Sequence, residues 1–133
     1  MPATMSVADN VEDNHVMGRT VLIVDDHEGF RVSVRALLEA EGFEVVGEAA
    51  DATSAIEGVG RLRPDVVLLD IQLPGLDGLA VAELLAALPD PPAVVLTSSR
   101  DAAVYGLRLR QTSARGFIPK SGLSGEALVA LVG

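Results

Sequence analysis

Two short apolar runs of this chain each lead straight into aspartate. Val21-Leu22-Ile23-Val24 is followed by Asp25-Asp26, and Val66-Val67-Leu68-Leu69 by Asp70. Four consecutive apolar residues leave no polar face for water, so each run reads as a parallel strand buried on both sides. In an open parallel sheet, ligands gather beyond the carboxyl ends of the strands, where the strand order reverses. The three acids are therefore expected to converge on one pocket at one end of a sheet.

Such a pocket is electrostatically restricted. Two carboxylates about 4 Å apart repel by roughly 4 kcal/mol at an effective dielectric of about 20. The group responds by taking up a proton or by binding a cation. Oxygen donors are on offer, with no cysteine and no histidine cluster. That set suits a hard ion, and Mg2+ in particular. Asp25 or Asp26 alone could equally cap the following helix. Three acids that all end strands point instead to a binding site.

The remaining composition fits a single domain. At 133 residues the chain is long enough to bury a core. It is 49% hydrophobic but only 3% aromatic, so that core is expected to be aliphatic. A formal net charge of −9 argues against this domain gripping nucleic acid, which needs clustered Lys and Arg. The lack of cysteine fits a reducing compartment. No apolar run reaches membrane-spanning length and no secretory signal pattern opens the chain. A soluble, cytoplasmic protein without membrane contact is the expectation. Residues 1–19 carry Asp9, Asn10, Glu12, Asp13 and Asn14 without any sustained period, and read as a disordered tail. The folded domain is expected over 20–133.

From Thr20 onward strands and helices alternate. Phe30, Val34, Leu37 and Leu38 recur at helical spacing and predict a helix from about Glu28 to Glu41, with Gly42 as its left-handed stop. A second strand is expected over 44–48, and a helix from about Thr53 that ends before Pro64. Asp77 is a candidate N-cap for a third helix, which Pro89 to Pro92 would end. Strands are expected over 93–96 and 116–119, and Pro119 suits the end of an edge strand. A last helix would begin near Ser124. Five strands alternating with helices give an α/β fold, a flavodoxin-like doubly wound parallel sheet in order 2-1-3-4-5 with helices on both faces. That order sets strands one and three, with their acids, at the switch point. Thr97 and Lys120 end strands four and five on the same rim. Alone, each would be an ordinary strand residue and a solvated charge. Beside three carboxylates they complete a set suited to phosphoryl transfer: carboxylate nucleophile, cation, ammonium and hydroxyl.

From Thr20 to Gly133 the chain resembles the receiver domain of bacterial two-component response regulators. The stretches that carry the likeness are Val-Leu-Ile-Val-Asp-Asp-His at 21–27, Asp-Val-Val-Leu-Leu-Asp-Ile-Gln-Leu-Pro-Gly-Leu-Asp-Gly at 65–78, Val-Val-Leu-Thr-Ser at 94–98 and Gly-Phe-Ile-Pro-Lys at 116–120. The resemblance implies that Asp70 is the phosphoacceptor and that Mg2+ is held by Asp25, Asp26, Asp70 and the backbone carbonyl of Gln72. It implies that Thr97 and Phe117 form the switch pair and that Lys120 contacts the phosphoryl group. Gln72 and Ser99 occupy the positions that tune phosphoryl lifetime in this family.

The pattern departs from the commonest one in a few places. Ser121 rather than proline follows Lys120, so the usual cis bond is not expected there. The Lys-Ser-Gly-Leu run is similar to receivers of NarL/LuxR-type transcription regulators. Phe117 stands where tyrosine is frequent, and Ser113 where a glycine often ends the fourth helix, which leaves the turn over 111–114 open. The implied partners are a sensor histidine kinase and a second receiver, in a homodimer formed on phosphorylation. Tyr105, Leu107, Arg108, Arg110 and Arg115 would make the regulated contact surface. No output domain is expected within these residues, and the domain itself is not expected to be an enzyme. The alternatives are a stand-alone receiver or a phosphorelay intermediate acting through protein contacts, and a Mg2+-dependent aspartyl-phosphate phosphatase. The phosphatase would need a second acid where Gln72 stands. A degenerate receiver would lack one of the five site residues, and all five are present.

Overall fold

The computed structural model describes residues 18–133, so most of the tail expected over 1–19 lies outside the described residues. Strand β1 (Thr20–Val24) and strand β3 (Val66–Asp70) are the two apolar runs of the sequence, and both are almost wholly buried. They pair in parallel, Val21 against Val66 and Val24 against Leu69. Strand β2 (Glu44–Ala49) flanks β1, while β4 (Ala93–Ser98) and β5 (Gly116–Pro119) extend the sheet beyond β3. The five strands lie in the order β2-β1-β3-β4-β5, all parallel. Edge strand β5 takes Pro119 at its last position, where a missing ladder donor costs nothing.

The helices cover both faces. Helix α1 (Glu28–Ala40) buries Val34 and Leu38 and turns out at Gly42, φ +100°. Helix α2 (Ala52–Leu62) starts under Asp51, whose carboxylate accepts from the Ser54 N–H at 2.8 Å. It ends at Arg63, which Pro64 bars from the right-handed region and which sits at φ +50°. Helix α3 (Gly78–Ala86) is capped by Asp77 as expected, through the Leu79 N–H at 2.7 Å. The last helix, α6 (Gly125–Val132), starts under Ser124, which accepts from the Ala127 N–H. One core layer joins Leu22, Val24, Val67, Leu69 and Leu96 to Ala55, Val59, Val81 and Leu85 of α2 and α3. The other joins Val21, Ile23, Leu68 and Val95 to Val34 and Leu38 of α1 and Leu128 of α6. Each Val or Leu buried this way contributes roughly 1.5–3 kcal/mol against solvation.

The segment between β4 and β5 has no range assigned from the sequence. The fourth helix is two short pieces, α4 (Ala102–Tyr105) and α5 (Leu107–Gln111), jointed at Gly106 with φ +55° and ψ −129°. Neither piece has a fully buried residue, so no packing holds a continuous helix over the glycine. Side chains from α3 hold α5 in place. Arg108 pairs with Asp77, and the Glu83 carboxylate accepts from the Ser113 N–H and Ser113 Oγ, both at 2.7 Å. The turn over 111–114 that the sequence left open is thus closed by Glu83 in place of a glycine.

Candidate functional site

The strand alternation decides which side chains meet at the carboxyl rim. Val21 and Ile23, Val66 and Leu68, and Val95 all belong to the layer under α1 and α6. Two residues further along, the same alternation carries Asp25, Asp70 and Thr97, and along β5 it carries Lys120 two residues after Ile118. Asp70 and Thr97 are register partners. The sheet therefore aims the acids, the hydroxyl and the ammonium toward one point.

Gly78 makes the Asp70 loop possible. A Cβ there would lie 2.6 Å from the Ile71 Cα and press on the Asp70 carbonyl, so only glycine lets α3 start against the end of β3. Its N–H then bonds the Ile71 carbonyl at 2.8 Å. The loop folds back, and the Gln72 N–H donates to Asp70 Oδ1 at 3.0 Å.

Lys120 bridges the two buried acids, with Nζ 2.6 Å from Asp25 Oδ2 and 3.4 Å from Asp70 Oδ2. Below it the Phe30 ring lies 4.1 Å from Nζ, a cation–π seat that fixes the ammonium from the α1 side. Asp25 is 0% exposed, and burial alone would push its carboxyl up. The Lys120 ammonium and the His27 N–H, which donates to Asp25 Oδ1 at 2.8 Å, hold it below the ordinary range instead. Asp70 goes the other way. Burial first, and the neighbouring Asp25 charge, push it up to about 6. Burial would lower Lys120, but its two carboxylates raise it above the usual amine value. One ammonium thus stabilises Asp25 but leaves Asp70 short of compensating charge. That shortfall is what a cation would meet.

The donors for a cation are close together. One oxygen from each of Asp25, Asp26 and Asp70 and a ring nitrogen of His27 lie within 4.8 Å of one another. Asp26 is exposed and stands at the pocket mouth. A carboxylate set of this kind, open on one side to water, fits a hard divalent ion that keeps part of its hydration. Thr97 is 0% exposed, and its Oγ1 has no hydrogen-bond partner. A buried hydroxyl left unpaired costs about 1–3 kcal/mol, which a ligand oxygen would return.

The residues singled out in the sequence are distributed as follows. Asp25, Asp70 and Lys120 are in direct contact, Asp26 joins them, and Thr97 flanks Asp70 across the register. Gln72 touches Asp70 through its N–H. Ser99 is exposed just past the end of β4. Phe117 faces the opposite layer, with Leu96 as its register partner. Sequence reasoning missed two participants: His27, with Nδ1 3.1 Å from Asp26 and 3.2 Å from Asp25, and the Phe30 seat. Adjacency to two acids was the available signal for His27. Tyr105 lies under the rim, its hydroxyl 2.7 Å from Ser98 Oγ and its ring 6.3 Å from that of Phe117. Of the expected contact surface, Leu107 is 62% exposed, Arg110 and Arg115 are exposed, and Arg108 is paired with Asp77.

Comparison with known proteins agrees with this fold. Residues 21–132 match the family model described as the response regulator receiver domain. The response regulator GacA of Pseudomonas aeruginosa is 39% identical over 102 residues, 75% of this chain and 47% of its own length. A protein-glutamate methylesterase/protein-glutamine glutaminase of Alkalilimnicola ehrlichii is 41% identical over 101 residues, 74% of this chain and 26% of its own. Among solved structures, the NarL signal receiver domain from Mycobacterium tuberculosis superposes with a TM-score of 0.74 at 36% identity, covering 87% of this chain and 94% of that one. The chain spans about half the length of curated relatives described as transcription regulators, at 53% and 50%.

Proposed function

Because the chain belongs to the response regulator receiver family, whose general role is phosphorylation-dependent switching, we propose that Asp70 is its phosphoacceptor. An Asp70 oxygen attacks the phosphorus of a phosphohistidine on a sensor kinase, the P–N bond breaks, and the proton-accepting imidazole leaves. The observation that carries this reading is the pairing of a buried, charge-starved Asp70 with Lys120 and a buried hydroxyl that lacks a partner. Lys120 orients Asp70 and then follows the incoming phosphoryl oxygens, and Thr97 donates its free hydroxyl to one of them. Asp25, Asp26, Asp70 and the Gln72 carbonyl would hold Mg2+, which neutralises charge on the transferring group when bound.

Switching follows from the same contacts. Thr97 moves toward the new dianion, and Phe117 repacks on β5. The surface of α4, α5, β5 and α6 changes with them and pairs with a second receiver. Gln72 and Ser99 stand beside the acceptor and at the rim, where they set how water reaches the phosphoryl group. Relatives described as transcription regulators support a transcriptional output for the longer proteins that carry such a domain. The domain, over 20–133, serves as the switch and not as the catalyst of that output. Among the described residues no helix is long and apolar enough to cross a membrane.

The test is chemical. Acetyl phosphate with Mg2+ should add one phosphoryl mass to the chain and none to Asp70→Asn. Equal modification of that variant would move the acceptor elsewhere.

A further inference from the structure

Helix α4 is held to the body of the protein by one side chain. Ala102, Ala103 and Val104 are exposed, and only Tyr105 is partly buried. The ring of Tyr105 packs on Phe117 at 6.3 Å, inclined by 56°, and its hydroxyl shares a 2.7 Å hydrogen bond with Ser98 Oγ. Ser98 is itself 0% exposed and is fixed by the Arg100 N–H, which donates to Oγ at 3.0 Å. Beyond Tyr105 the chain bends at Gly106, whose backbone conformation allows α4 to turn while α5 stays anchored on Asp77 and Glu83. The chain therefore has a short element, a joint and a single tie.

The tie lies next to the phosphoryl site. Ser98 is the residue after Thr97, and their side chains point to opposite layers of the sheet. A shift of the end of β4 that brings Thr97 to a phosphoryl group on Asp70 would carry Ser98 with it. Phe117 has no hydroxyl, so the aromatic residue on β5 cannot hydrogen-bond across to β4. Tyr105 is the aromatic residue that does.

We propose that Tyr105 is a positioning residue that latches the resting state of this receiver: its hydroxyl bond to Ser98 holds α4 against the end of β4 and Phe117 in place, and capture of Thr97 by the phosphoryl group breaks it. Release lets α4 pivot at Gly106 and rearranges Val104, 56% exposed, and Leu107, which flank the joint. The latch rests on the acceptor reading above, since it opposes the state that phosphorylation favours. A single hydrogen bond sets the size of the effect, a two- to tenfold shift between resting and active populations.

The chain reports on the latch by itself, because Tyr105 is its one tyrosine and it has no tryptophan. Beryllofluoride and Mg2+ would be titrated into the full chain while tyrosine fluorescence and fluorine NMR are recorded together. The expected result is a tyrosine signal that changes in step with the bound fluoride resonance. Tyr105→Phe and Ser98→Ala should each bind beryllofluoride two- to tenfold more tightly than the parent, and the double variant no more tightly than either. A purely structural Tyr105 would lower the melting temperature in Tyr105→Phe yet leave that affinity alone, which would overturn the latch. So would fluoride bound with an unmoved tyrosine signal, the acceptor reading surviving. No bound fluoride at all would overturn both.

Discussion

Asp70 is the residue where structure and function oppose each other most directly. Its carboxyl is pushed up from 3.8 to about 6, so the folded chain binds that proton more tightly than the unfolded chain does. The stability it contributes is complete below the unfolded value and is lost as pH rises through about 6. Ionising it in the metal-free protein costs on the order of 3 kcal/mol. Asp70→Asn should therefore melt several degrees above the parent at neutral pH without Mg2+, and the gap should close as pH falls toward 4, as scanning calorimetry across that range would show. Asp25 has the reverse sign, since its lowered carboxyl loses stability only as pH falls below the ordinary carboxylate range. A gap that stayed constant with pH would mean that Asp70 is not strained by its surroundings. The acids, Thr97 and Lys120 could be read from sequence because each ends a strand, and strand ends in a parallel sheet converge. Phe30 could not, because its role depends on a side-chain direction at the start of α1, where periodicity says only that a helix begins, and His27 offered only its adjacency to two acids.

At the scale of elements, two glycines do different work. Gly78 has backbone pressed against it from β3, whereas nothing lies within 4 Å of where a Gly106 side chain would start. Gly78→Ala must push α3 off the end of β3, at about 2–3 kcal/mol, and displaces the Asp70 loop with it. Gly106→Ala has space but the wrong backbone, at about 1–3 kcal/mol. Urea unfolding should therefore show both variants destabilised, but only Gly78→Ala slowed in acetyl phosphate labelling. Equal slowing of Gly106→Ala would mean that the α4–α5 joint reaches the acceptor in the resting state. The strands and helices with one apolar stripe were legible because burial repeats at their own period. The fourth helix was not. Its residues bury almost nothing, so no pattern records its break, and its position is set instead by Tyr105 on Ser98 and by contacts of Arg108 and Glu83 across tens of residues of sequence. The closure of the turn at 111–114 by Glu83 belongs to the same class, a contact between elements that leaves no local signal.

For the whole molecule, the sheet gathers negative charge into its most buried end while the chain as a whole already carries −9. Hydrophobic layers on both faces offset the cost, and the ammonium of Lys120 recovers only part of it. The folded state should therefore be held below its attainable stability until a cation enters, since an ion that binds only the folded chain raises its stability by mass action. With Mg2+ at a hundredfold excess over its dissociation constant the gain is about 2.7 kcal/mol, and at tenfold excess about 1.4 kcal/mol. The melting midpoint should climb with log Mg2+ in the parent and much less in Asp26→Asn, which removes a donor from the pocket mouth without emptying the core. Sodium at equal ionic strength should leave it nearly unmoved, because screening acts on exposed charges and Asp25 and Asp70 are buried. If sodium and Mg2+ raised the midpoint equally, the effect would be relief of the general −9 repulsion and not occupation of the site. The same cation would lower the energy of ionised Asp70 and so make the proposed nucleophile available at neutral pH. One binding event would thus both complete the fold's electrostatics and prepare it for phosphoryl transfer, so the midpoint should begin to climb at the Mg2+ concentration where the labelling rate is half-maximal.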